Sequence, residues 1–448
     1  DGMVRQTLRE AREPMRIGIV KERHPGERRV AASSDTVKRY VGMGLEVRIE
    51  TGAGTTAAVP DAVYEAAGAT IVKTAKEALA DADVVLKVRK PSTDEIPLLK
   101  KGAVVIALME PYRDRALLET LAAQGVTAFS LEMVPRITRA QSMDVLSSQS
   151  NLAGYRAVLD AAAEFGRAFP MMMTAAGTVP PARCLVMGAG VAGLQAIATA
   201  RRLGAVVSAT DVRPAAKEQV ESLGGTFVAV EDEEFKQAET AGGYAKEMSD
   251  AYKKKQAELI AETIKKQDIV ITTALIPGRP APVLVSEDMV KTMKPGSVIV
   301  DLAVEQGGNC PLSRPGEVVE AYGVKIVGHV NVPSRIAVDA SALYAKNLLN
   351  FLTPLVDAES KSLKIDESDE IIKASMIAKD GKVVSEAVLK LPLEAAPKAA
   401  APKPAAAPKP KAAAKPKAAA KPKAAPKPKK ADSGETKGSG ADGSGSES

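Results

Sequence analysis

The most specific indication of chemistry in this sequence is the spacing of three glycines and one aspartate. Gly188, Gly190 and Gly193 form the pattern G-x-G-x-x-G directly after the apolar run 184–187. In such a pattern the first glycine permits a tight turn, the second lets the backbone approach a pyrophosphate, and the third lets a helix pack closely on a strand. Phosphates then lie at the helix N-terminus, where unpaired N–H groups and the helix dipole favour anions.

An acidic side chain at the end of the next predicted strand completes the pattern. Residues 194–203 predict a helix, residues 206–209 predict a second strand, and Asp211 follows that strand. A carboxylate at this point can accept hydrogen bonds from an adenosine ribose diol and repel a 2′-phosphate. Arg213 keeps the alternative of a 2′-phosphate open, and a glycine-packed turn without a ligand is the other alternative, but the combined pattern favours NAD(H). The residues predicted to bind it here are Gly188, Gly190, Val191, Gly193, Asp211, Val212 and Arg213.

Alternating strands and helices surround this unit. Short apolar strands are predicted on its N-terminal side at 16–20, 46–50, 70–72, 83–88, 103–107 and 126–129, and on its C-terminal side at 268–272, 297–301 and 325–327. This alternation predicts an α/β fold built on open parallel sheets. The length of 448 residues indicates two domains with accessory segments.

Three segments depart from that alternation. Residues 131–151 are polar and mixed in charge, which suits the lining of an interdomain crevice, and an ordinary solvated connector explains them equally well. Residues 231–248 include two glycines and Tyr244 and predict a mobile flap with an aromatic tip. Residues 272–278 follow a strand at the carboxyl edge of the predicted sheet, where ligands bind in such folds, so we expect Ala274 and Leu275 to contact the cofactor.

The C-terminal part of the sequence changes character twice. Residues 334–352 predict a long helix that returns to the first domain, and 371–377 with 383–388 predict a hairpin around residues 379–382. Residues 395–430 consist of Ala, Pro and Lys and predict an extended tether, which a Gly- and Ser-rich tail follows. We expect this region to be a disordered spacer, with binding of anionic lipid or nucleic acid as the alternative.

Charge and composition exclude several classes of function. The net charge is +6, but residues 395–448 hold 12 Lys against four acids, so the remaining sequence, with 49 Lys and Arg against 51 Asp and Glu, is nearly neutral. No specific nucleic-acid partner is therefore expected. The two cysteines and two histidines form no metal-ligand pattern, so no metal site is expected. No apolar run reaches the about 18 residues of a spanning helix, and residues 1–14 lack the apolar segment of a signal peptide.

Three long and unusual stretches resemble one known family. They are residues 135–156 (PRITRAQSMDVLSSQSNLAGYR), 169–183 (FPMMMTAAGTVPPAR) and 238–248 (AETAGGYAKEM). With them, residues 15–391 are similar to the NAD(H)-binding component of proton-translocating nicotinamide nucleotide transhydrogenases, in the bacterial form whose alpha subunit is split in two. Alanine dehydrogenases share the fold and a more distant sequence similarity.

The resemblance implies hydride transfer between NAD(H) on this chain and NADP(H) on a partner component, with Re/Si specificity, coupled to proton translocation by a membrane-spanning proton-channel component. It also implies a homodimer that is cytoplasmic and peripheral at the inner membrane through its partners. Each chain would have two Rossmann-like, doubly wound parallel-sheet domains with a cleft between them. The first domain would be 15–146, completed by about 338–393, and the NAD(H)-binding domain 147–337, which leaves 394–448 as tether and tail.

The resemblance also implies roles for particular residues. Arg136, Gln141, Asp144 and Ser147 would belong to a loop that places the nicotinamide and its ribose, with Gln141 hydrogen-bonded to the ribose. Tyr244 would lie on the flap that closes over the cofactor. The residues predicted to be catalytic are Arg136, Gln141, Asp144, Ser147 and Tyr244, and those predicted to join the cofactor-binding set are Arg136, Ile137, Thr138, Gln141, Asp144, Gly243, Tyr244 and Met248.

Two other functions compete with this interpretation. Transfer between two nicotinamide rings requires close approach and exclusion of water but no general base, whereas an amino-acid dehydrogenase usually uses His or Lys. For an alanine dehydrogenase, Lys87 or Arg89 would have to supply the substrate-binding Lys, and the stretch 107–111 (ALMEP) contains no His. Lys87 is interpreted here as a strand-end charge. The second alternative is a non-catalytic subunit that senses NAD(H).

Overall fold

The computed structural model describes residues 14–236, 248–276 and 278–392. The strands, in chain order, are β1 (Arg16–Ile19), β2 (Glu46–Glu50), β3 (Thr70–Val72), β4 (Val84–Arg89), β5 (Val104–Leu108), β6 (Thr127–Ser130), β7 (Met172–Thr174), β8 (Gly177–Val179), β9 (Arg183–Met187), β10 (Val206–Thr210), β11 (Thr226–Phe227), β12 (Ile269–Thr272), β13 (Val298–Asp301), β14 (Val318–Ala321), β15 (Val324–Val327), β16 (Met376–Lys379) and β17 (Lys382–Val383). The helices are α1 (Ser34–Gly42), α2 (Asp61–Ala66), α3 (Ala75–Leu79), α4 (Arg115–Ala123), α5 (Val145–Glu164), α6 (Val191–Arg202), α7 (Ala216–Ser222), α8 (Glu233–Lys236), α9 (Asp250–Ile264), α10 (Glu287–Thr292), α11 (Ala337–Leu352), α12 (Glu370–Ser375) and α13 (Glu386–Leu389).

Strands β7 and β8 pair antiparallel in a separate two-stranded hairpin, and the other strands form two large sheets with the same doubly wound order of parallel strands. The first sheet has the order β17-β16-β6-β5-β4-β1-β2-β3, and the second has the order β11-β10-β9-β12-β13-β15-β14. Strands β1 to β6 pair in parallel, as do β9 to β13 and β15, whereas β14, β16 and β17 pair antiparallel. The predicted fold class of two Rossmann-like parallel-sheet units is therefore confirmed. The predicted tether and tail lie outside the described residues.

The central strands of both sheets, such as β5, β12 and β13, are buried on both faces, which explains why they are continuous apolar runs. In β4, Val84 and Leu86 point into one apolar cluster and Val85 points into another on the opposite face. In β9, Cys184 and Leu185 are divided in the same way between two clusters. Because successive side chains of a strand point to opposite faces, each sheet carries a separate core on each side.

The chain passes between the two units twice. Helix α5 begins against the core of the first sheet at Val145 and ends against a core of the second at Ala161. The return segment 328–336 leads from β15 into α11, whose Tyr344 and Leu348 pack on the first core. None of the helices in the described ranges is long and apolar enough to cross a membrane.

The structure differs from the predicted elements at two places. Residues 371–377 are not the first strand of a long hairpin, because the Asp369 side chain accepts the Ile371 N–H at 2.8 Å and starts α12. Only β16 and β17 form the hairpin, around Asp380 and Gly381, whose φ values of +50° and +79° suit a two-residue turn. Helix α11 starts at Ala337 rather than at Ser334, because a 3₁₀ turn, Val332–Ile336, precedes it.

Candidate functional site

The glycine pattern lies at the carboxyl edge of the second sheet, in the turn that joins β9 to α6. Gly188 has a φ of +103°, and a Cβ on it would lie 2.5 Å from Thr273 Oγ1. A Cβ on Gly193 would lie 1.8 Å from the carbonyl oxygen of Gly188, which no side chain can tolerate. Two of the three glycines are therefore required by the close approach of the turn, the helix and the neighbouring strand.

Gly190 differs from these two because the surrounding protein does not require a glycine there. Its φ is −76°, a value that any residue adopts, and a Cβ would meet no atom of the described residues within 4 Å. Gly190 is also the N-cap of α6, and no side chain in the described part of the chain caps that helix. Open space beside uncapped N–H groups at a helix N-terminus fits a phosphate group. The residues present thus fit the pyrophosphate of a dinucleotide.

Asp211 joins the glycine turn to the end of β10. Its Oδ2 accepts the backbone N–H of Ala189 at 2.7 Å, and its Oδ1 accepts the backbone N–H of Arg213 at 2.9 Å. The Arg213 guanidinium donates to both carboxylate oxygens, and its Nη2 donates to the Ala189 carbonyl at 3.2 Å. The structure therefore brings Asp211 and Arg213 to the glycine turn and gives the carboxylate a role in fixing the loop backbone.

The loop after β12 faces the glycine turn across the point where the strand order reverses. Met187, the last residue of β9, pairs with β10 on one side and with β12 on the other. The Thr273 hydroxyl donates to the carbonyl of Gly188 at 3.1 Å, and Ala274 and the exposed Leu275 follow it. In open α/β sheets this reversal opens a crevice in which ligands bind. Ala274 and Leu275, which are predicted to contact the cofactor, are therefore the two residues directly after the contact between Thr273 and the glycine turn.

Two buried side chains that the sequence analysis did not single out fix this loop. The Asn309 amide accepts the Ala274 N–H at 3.1 Å and donates to the carbonyls of Ala274 and Pro282 at 2.9 and 2.8 Å. Asp301 is the last residue of β13. Its carboxylate accepts the backbone N–H groups of Ala303, Asn309 and Cys310 and the hydroxyl of Ser313. An acidic residue at the end of an apolar strand is a sequence pattern from which Asp301 could have been identified, whereas no local pattern identifies Asn309.

The second group of predicted residues, 136–147, lies on and around a 3₁₀ helix, Thr138–Met143, between β6 and α5. Every third residue of a 3₁₀ helix shares a face. Ala140 and Met143 pack into the core of the first sheet, and the preceding Ile137 packs against it. Thr138 and Gln141 therefore share a different face, and both are exposed, as is Arg136 before the helix.

Asp144 and Ser147 form the junction between this 3₁₀ helix and α5. The Asp144 Oδ1 accepts the Ser147 N–H at 2.9 Å, and its Oδ2 accepts the Ser147 hydroxyl at 2.5 Å. Asp144 is thus the N-cap of α5, which satisfies backbone donors of the first helical turn. Both side chains are half-buried, so the pair fixes the loop that carries Gln141.

Helix α5 connects the two groups of predicted residues. A Cβ on its Gly154 would lie 2.0 Å from the carbonyl oxygen of Ala192, so α5 and the first turn of α6 are in backbone contact. The first unit also reaches the second directly, because Arg113 Nη2 donates to the carbonyl of Glu305 at 2.7 Å. Among the described residues, no hydrogen bond joins residues 136–147 to the glycine turn.

The predicted flap, 231–248, is described at residues 231–236, which include α8, and at residue 248. Gly243 and Tyr244 lie outside the described residues. Met248 is half-buried and packs against a core of the second sheet. Val191 and Val212, the other two predicted cofactor contacts, are exposed.

The interpretation of Lys87 as a strand-end charge is wrong. The side chain lies inside β4, which continues to Arg89, and is only 1% exposed. Its Nζ lies 3.4 Å from Glu22 Oε2 and 3.2 Å from Glu95 Oε1. Burial raises the pKa of Glu22 above its ordinary value, against the opposing charge of Lys87. A buried ammonium is tolerated here because carboxylates pair with it.

A second buried charge network joins the first unit to the return segment 328–336. The Arg29 guanidinium donates to both Glu27 oxygens at 2.8 and 2.7 Å, to Gln149 Oε1 at 2.8 Å and to Asn331 Oδ1 at 3.2 Å. Burial alone would raise the pKa of Glu27, but its bonds to Arg29 and the charges of Arg29 and Arg89 hold it well below its ordinary value. Glu27 is therefore a buried, ionised carboxylate at the connection between the units.

Comparison with known families follows the division into two units. A family model described as alanine dehydrogenase/PNT, N-terminal domain, matches residues 18–153. A second model, described as alanine dehydrogenase/PNT, C-terminal domain, matches residues 157–386. Both matches agree with the resemblance that the sequence motifs indicated.

Individual relatives separate the two branches of this family. The first portion of a split NAD(P) transhydrogenase subunit alpha, from Rhodospirillum rubrum, is 62% identical over 379 residues, which cover 84% of this chain and 99% of the relative. The crystal structure of a transhydrogenase from Sinorhizobium meliloti is 57% identical with a TM-score of 0.76, covering 82% of this chain and 100% of that one. A structure of L-alanine dehydrogenase is 29% identical with a TM-score of 0.70, covering 84% and 98%.

Proposed function

The chain belongs to the alanine dehydrogenase/PNT family, and we propose that it is the NAD(H)-binding component of a transhydrogenase, exchanging hydride between NAD(H) on this chain and NADP(H) on a partner subunit. The observation that carries the proposal is the 62% identity to a portion of a transhydrogenase alpha subunit over 99% of that relative, against 29% to an L-alanine dehydrogenase. Both branches share the fold, so the degree of identity, rather than the fold, favours the transhydrogenase.

We assign the dinucleotide to the crevice between β9 and β12. The open space at Gly190 supports a pyrophosphate at the N-terminus of α6. Asp211, at the end of β10, is assigned to the adenosine ribose, as in such folds. The Arg213 guanidinium pairs with both of its carboxylate oxygens and offsets its charge towards a 2′-phosphate. The exposed Val191, Val212 and Leu275 offer apolar surface beside it.

The nicotinamide half is assigned to the loop before α5. The exposed face with Thr138 and Gln141 offers one hydroxyl and one side-chain amide, and an amide can both donate and accept. Arg136 adds a cationic donor beside that face, and Asp144 with Ser147 fixes its end. Tyr244 and Met248 are assigned to the flap over the cofactor. When bound, the nicotinamide supplies the hydride chemistry, so these residues have to orient it and exclude water rather than move a proton.

The first unit gives a reason to prefer this function to that of an alanine dehydrogenase. The Lys87 ammonium is already paired with Glu22 and Glu95, which would compete with the carboxylate of an amino-acid substrate. Glu110, in the stretch without His, is paired with Arg89 at 3.3 Å and with Lys90 at 3.1 Å. In this unit, the side chains that an alanine dehydrogenase would need for its substrate are therefore occupied by internal ion pairs.

The partners are included in the proposal. We assign this chain a second copy of itself, an NADP(H)-binding component with which hydride transfer is Re/Si-specific, and a membrane-spanning proton channel that places it at the cytoplasmic face of the inner membrane. The Rhodospirillum rubrum relative is named as a portion of a subunit, which supports partner subunits. Met171, Met172 and Met173, at and before β7, are exposed by 60%, 43% and 78% and support a protein interface at the β7–β8 hairpin.

The proposal is tested by NADPH-dependent reduction of an NAD analogue whose reduced form absorbs at a shifted wavelength. The chain is assayed alone, with an NADP(H)-binding transhydrogenase component, and with NAD and L-alanine instead. We expect turnover only with the added component. Turnover with L-alanine and NAD would restore the amino-acid dehydrogenase, and NADH binding without turnover in any mixture would favour the sensing subunit.

A further inference from the structure

Helix α11 holds one face of the 3₁₀ helix Thr138–Met143. The carbonyl oxygen of Ser142 accepts Asn347 Nδ2 at 2.8 Å and Asn350 Nδ2 at 2.9 Å. Asn347 and Asn350 are three residues apart on α11, so their side chains share a face of that helix. Two amides thus converge on the carbonyl of the residue that follows Gln141.

A second contact holds the same face. The Arg139 guanidinium binds both oxygens of Asp369 at 2.7 and 2.9 Å, at the N-cap of α12. Arg139 and Ser142 are three residues apart, so the 3₁₀ helix presents them on one side. Ala140 and Met143 lie in the core. Arg139 and Ser142 are exposed but bonded to α12 and α11, whereas Thr138 and Gln141 form a separate exposed face.

We infer that Asn347 and Asn350 are positioning residues, which fix the rotation of the 3₁₀ helix and thereby aim Gln141 at the ribose of the bound nicotinamide. This inference rests on the proposed function. A 3₁₀ helix has about three residues per turn and weak internal hydrogen bonds, so a slip by one residue rotates its faces by about 120°. Such a slip moves Gln141 off the face that it shares with Thr138, and two donors on one carbonyl oppose it.

Asn350 is the better position for a test. Asn347 is buried, and its Oδ1 also accepts the Ser148 hydroxyl at 2.7 Å, so replacing it disturbs α5 as well. Asn350 is half-exposed and donates to Ser142. Asn350→Ala removes the amide, and Asn350→Asp keeps its shape but removes the N–H donors. Lys346→Ala, at an exposed position on the same helix, is the matched control.

Hydrogen exchange of the free chain, followed by mass spectrometry of peptides covering 136–147, gives a readout that needs no cofactor. The N–H groups of Ala140 and Asp144 donate to the carbonyls of Ile137 and Gln141 and report on this turn. We expect exchange in this segment to rise about tenfold in both Asn350 variants and to stay unchanged in Lys346→Ala. Unchanged exchange in the Asn350 variants would overturn the inference.

A double-mutant cycle tests whether Asn350 acts through Gln141. In the complex with an NADP(H)-binding component, we expect Asn350→Ala to slow single-turnover hydride transfer about tenfold, while the Kd for NADH changes less than about twofold. In the Gln141→Ala background, Asn350→Ala should have no further effect. If Gln141→Ala slows transfer but the two effects multiply, the inference fails and the proposed function stands. If Gln141→Ala leaves transfer unchanged, the assigned role of Gln141 fails and the inference fails with it.

Discussion

Replacing Gly190 by Ala tests whether this glycine is required by a bound ligand or by the packing of the protein. At a φ of −76°, with no described atom within 4 Å of the added Cβ, the folded chain accepts the methyl group without strain. Ala lowers the entropy of the unfolded chain, which favours folding by about 0.4–1 kcal/mol. Ala is also a poorer N-cap than Gly, which opposes folding by about 0.5–1 kcal/mol. The two effects nearly cancel, so the free energy of unfolding should change by less than about 1 kcal/mol.

The effect on NADH binding should be much larger. The methyl group would occupy the space into which the pyrophosphate must approach the N-terminus of α6. Loss of one hydrogen bond to a charged phosphate costs about 1.5–3 kcal/mol. Since about 1.4 kcal/mol corresponds to a factor of ten, the Kd for NADH should rise between about tenfold and about a hundredfold.

The assay combines urea unfolding with titration of NADH fluorescence. Gly166→Ala is the matched control, because a Cβ on Gly166 also meets no described atom within 4 Å, but this glycine follows α5 and lies outside the assigned crevice. We expect this control to bind NADH as the parent chain does. Gly190→Ala with parental NADH affinity would refute the assignment of the pyrophosphate to this turn.

Three further changes test the surroundings of the site. Gly193→Ala puts a Cβ 1.8 Å from a backbone oxygen, so the turn must move, and urea unfolding should show a loss of about 1–3 kcal/mol or more; parental stability would contradict the close approach. Asn309→Ala leaves the Ala274 backbone groups without their partner, so stability should fall by about 2–4 kcal/mol and NADH affinity should fall with it. Because the folded pKa of Glu27 lies below its ordinary value of 4.5, its ionised form stabilises the fold above that pH and this stabilisation is lost as the pH falls. Thermal unfolding of Glu27→Gln should therefore depend less on pH below about 4.5 than unfolding of the parent chain, and equal slopes would disprove the pairing.

The central parallel strands of both sheets can be predicted because parallel strands buried on two faces are continuous apolar runs. The predicted bounds of β4 and β5 agree with the structure within one residue at each end. The short run that includes Ile371 and Ile372 is predicted as a strand but forms a helix, because brief apolar segments do not distinguish a strand from a buried helix. There the capping side chain of Asp369 decides for the helix.

The site is predictable only where its chemistry is local in sequence. Gly188, Gly193 and Asp211 belong to one continuous segment of strand, turn, helix and strand, so their spacing in the sequence predicts the site. Asn309 holds Ala274, which is 35 residues away in sequence, and Asn347 and Asn350 hold Ser142, which is 205 and 208 residues away. A single Asn has no pattern of its own. Such contacts arise from the packing of whole elements, which the sequence does not show directly.

The central claim is that hydride passes directly between the nicotinamide bound here and one bound by a partner subunit. The most direct test uses NADPH that is deuterated at the transferred position of the nicotinamide, an NAD analogue, this chain and an NADP(H)-binding component in ordinary water. Mass spectrometry of the reduced analogue should find the deuterium retained, because no proton from solvent takes part in the transfer. Loss of the label to solvent, or reduction of the analogue by L-alanine without NADPH, would contradict the account.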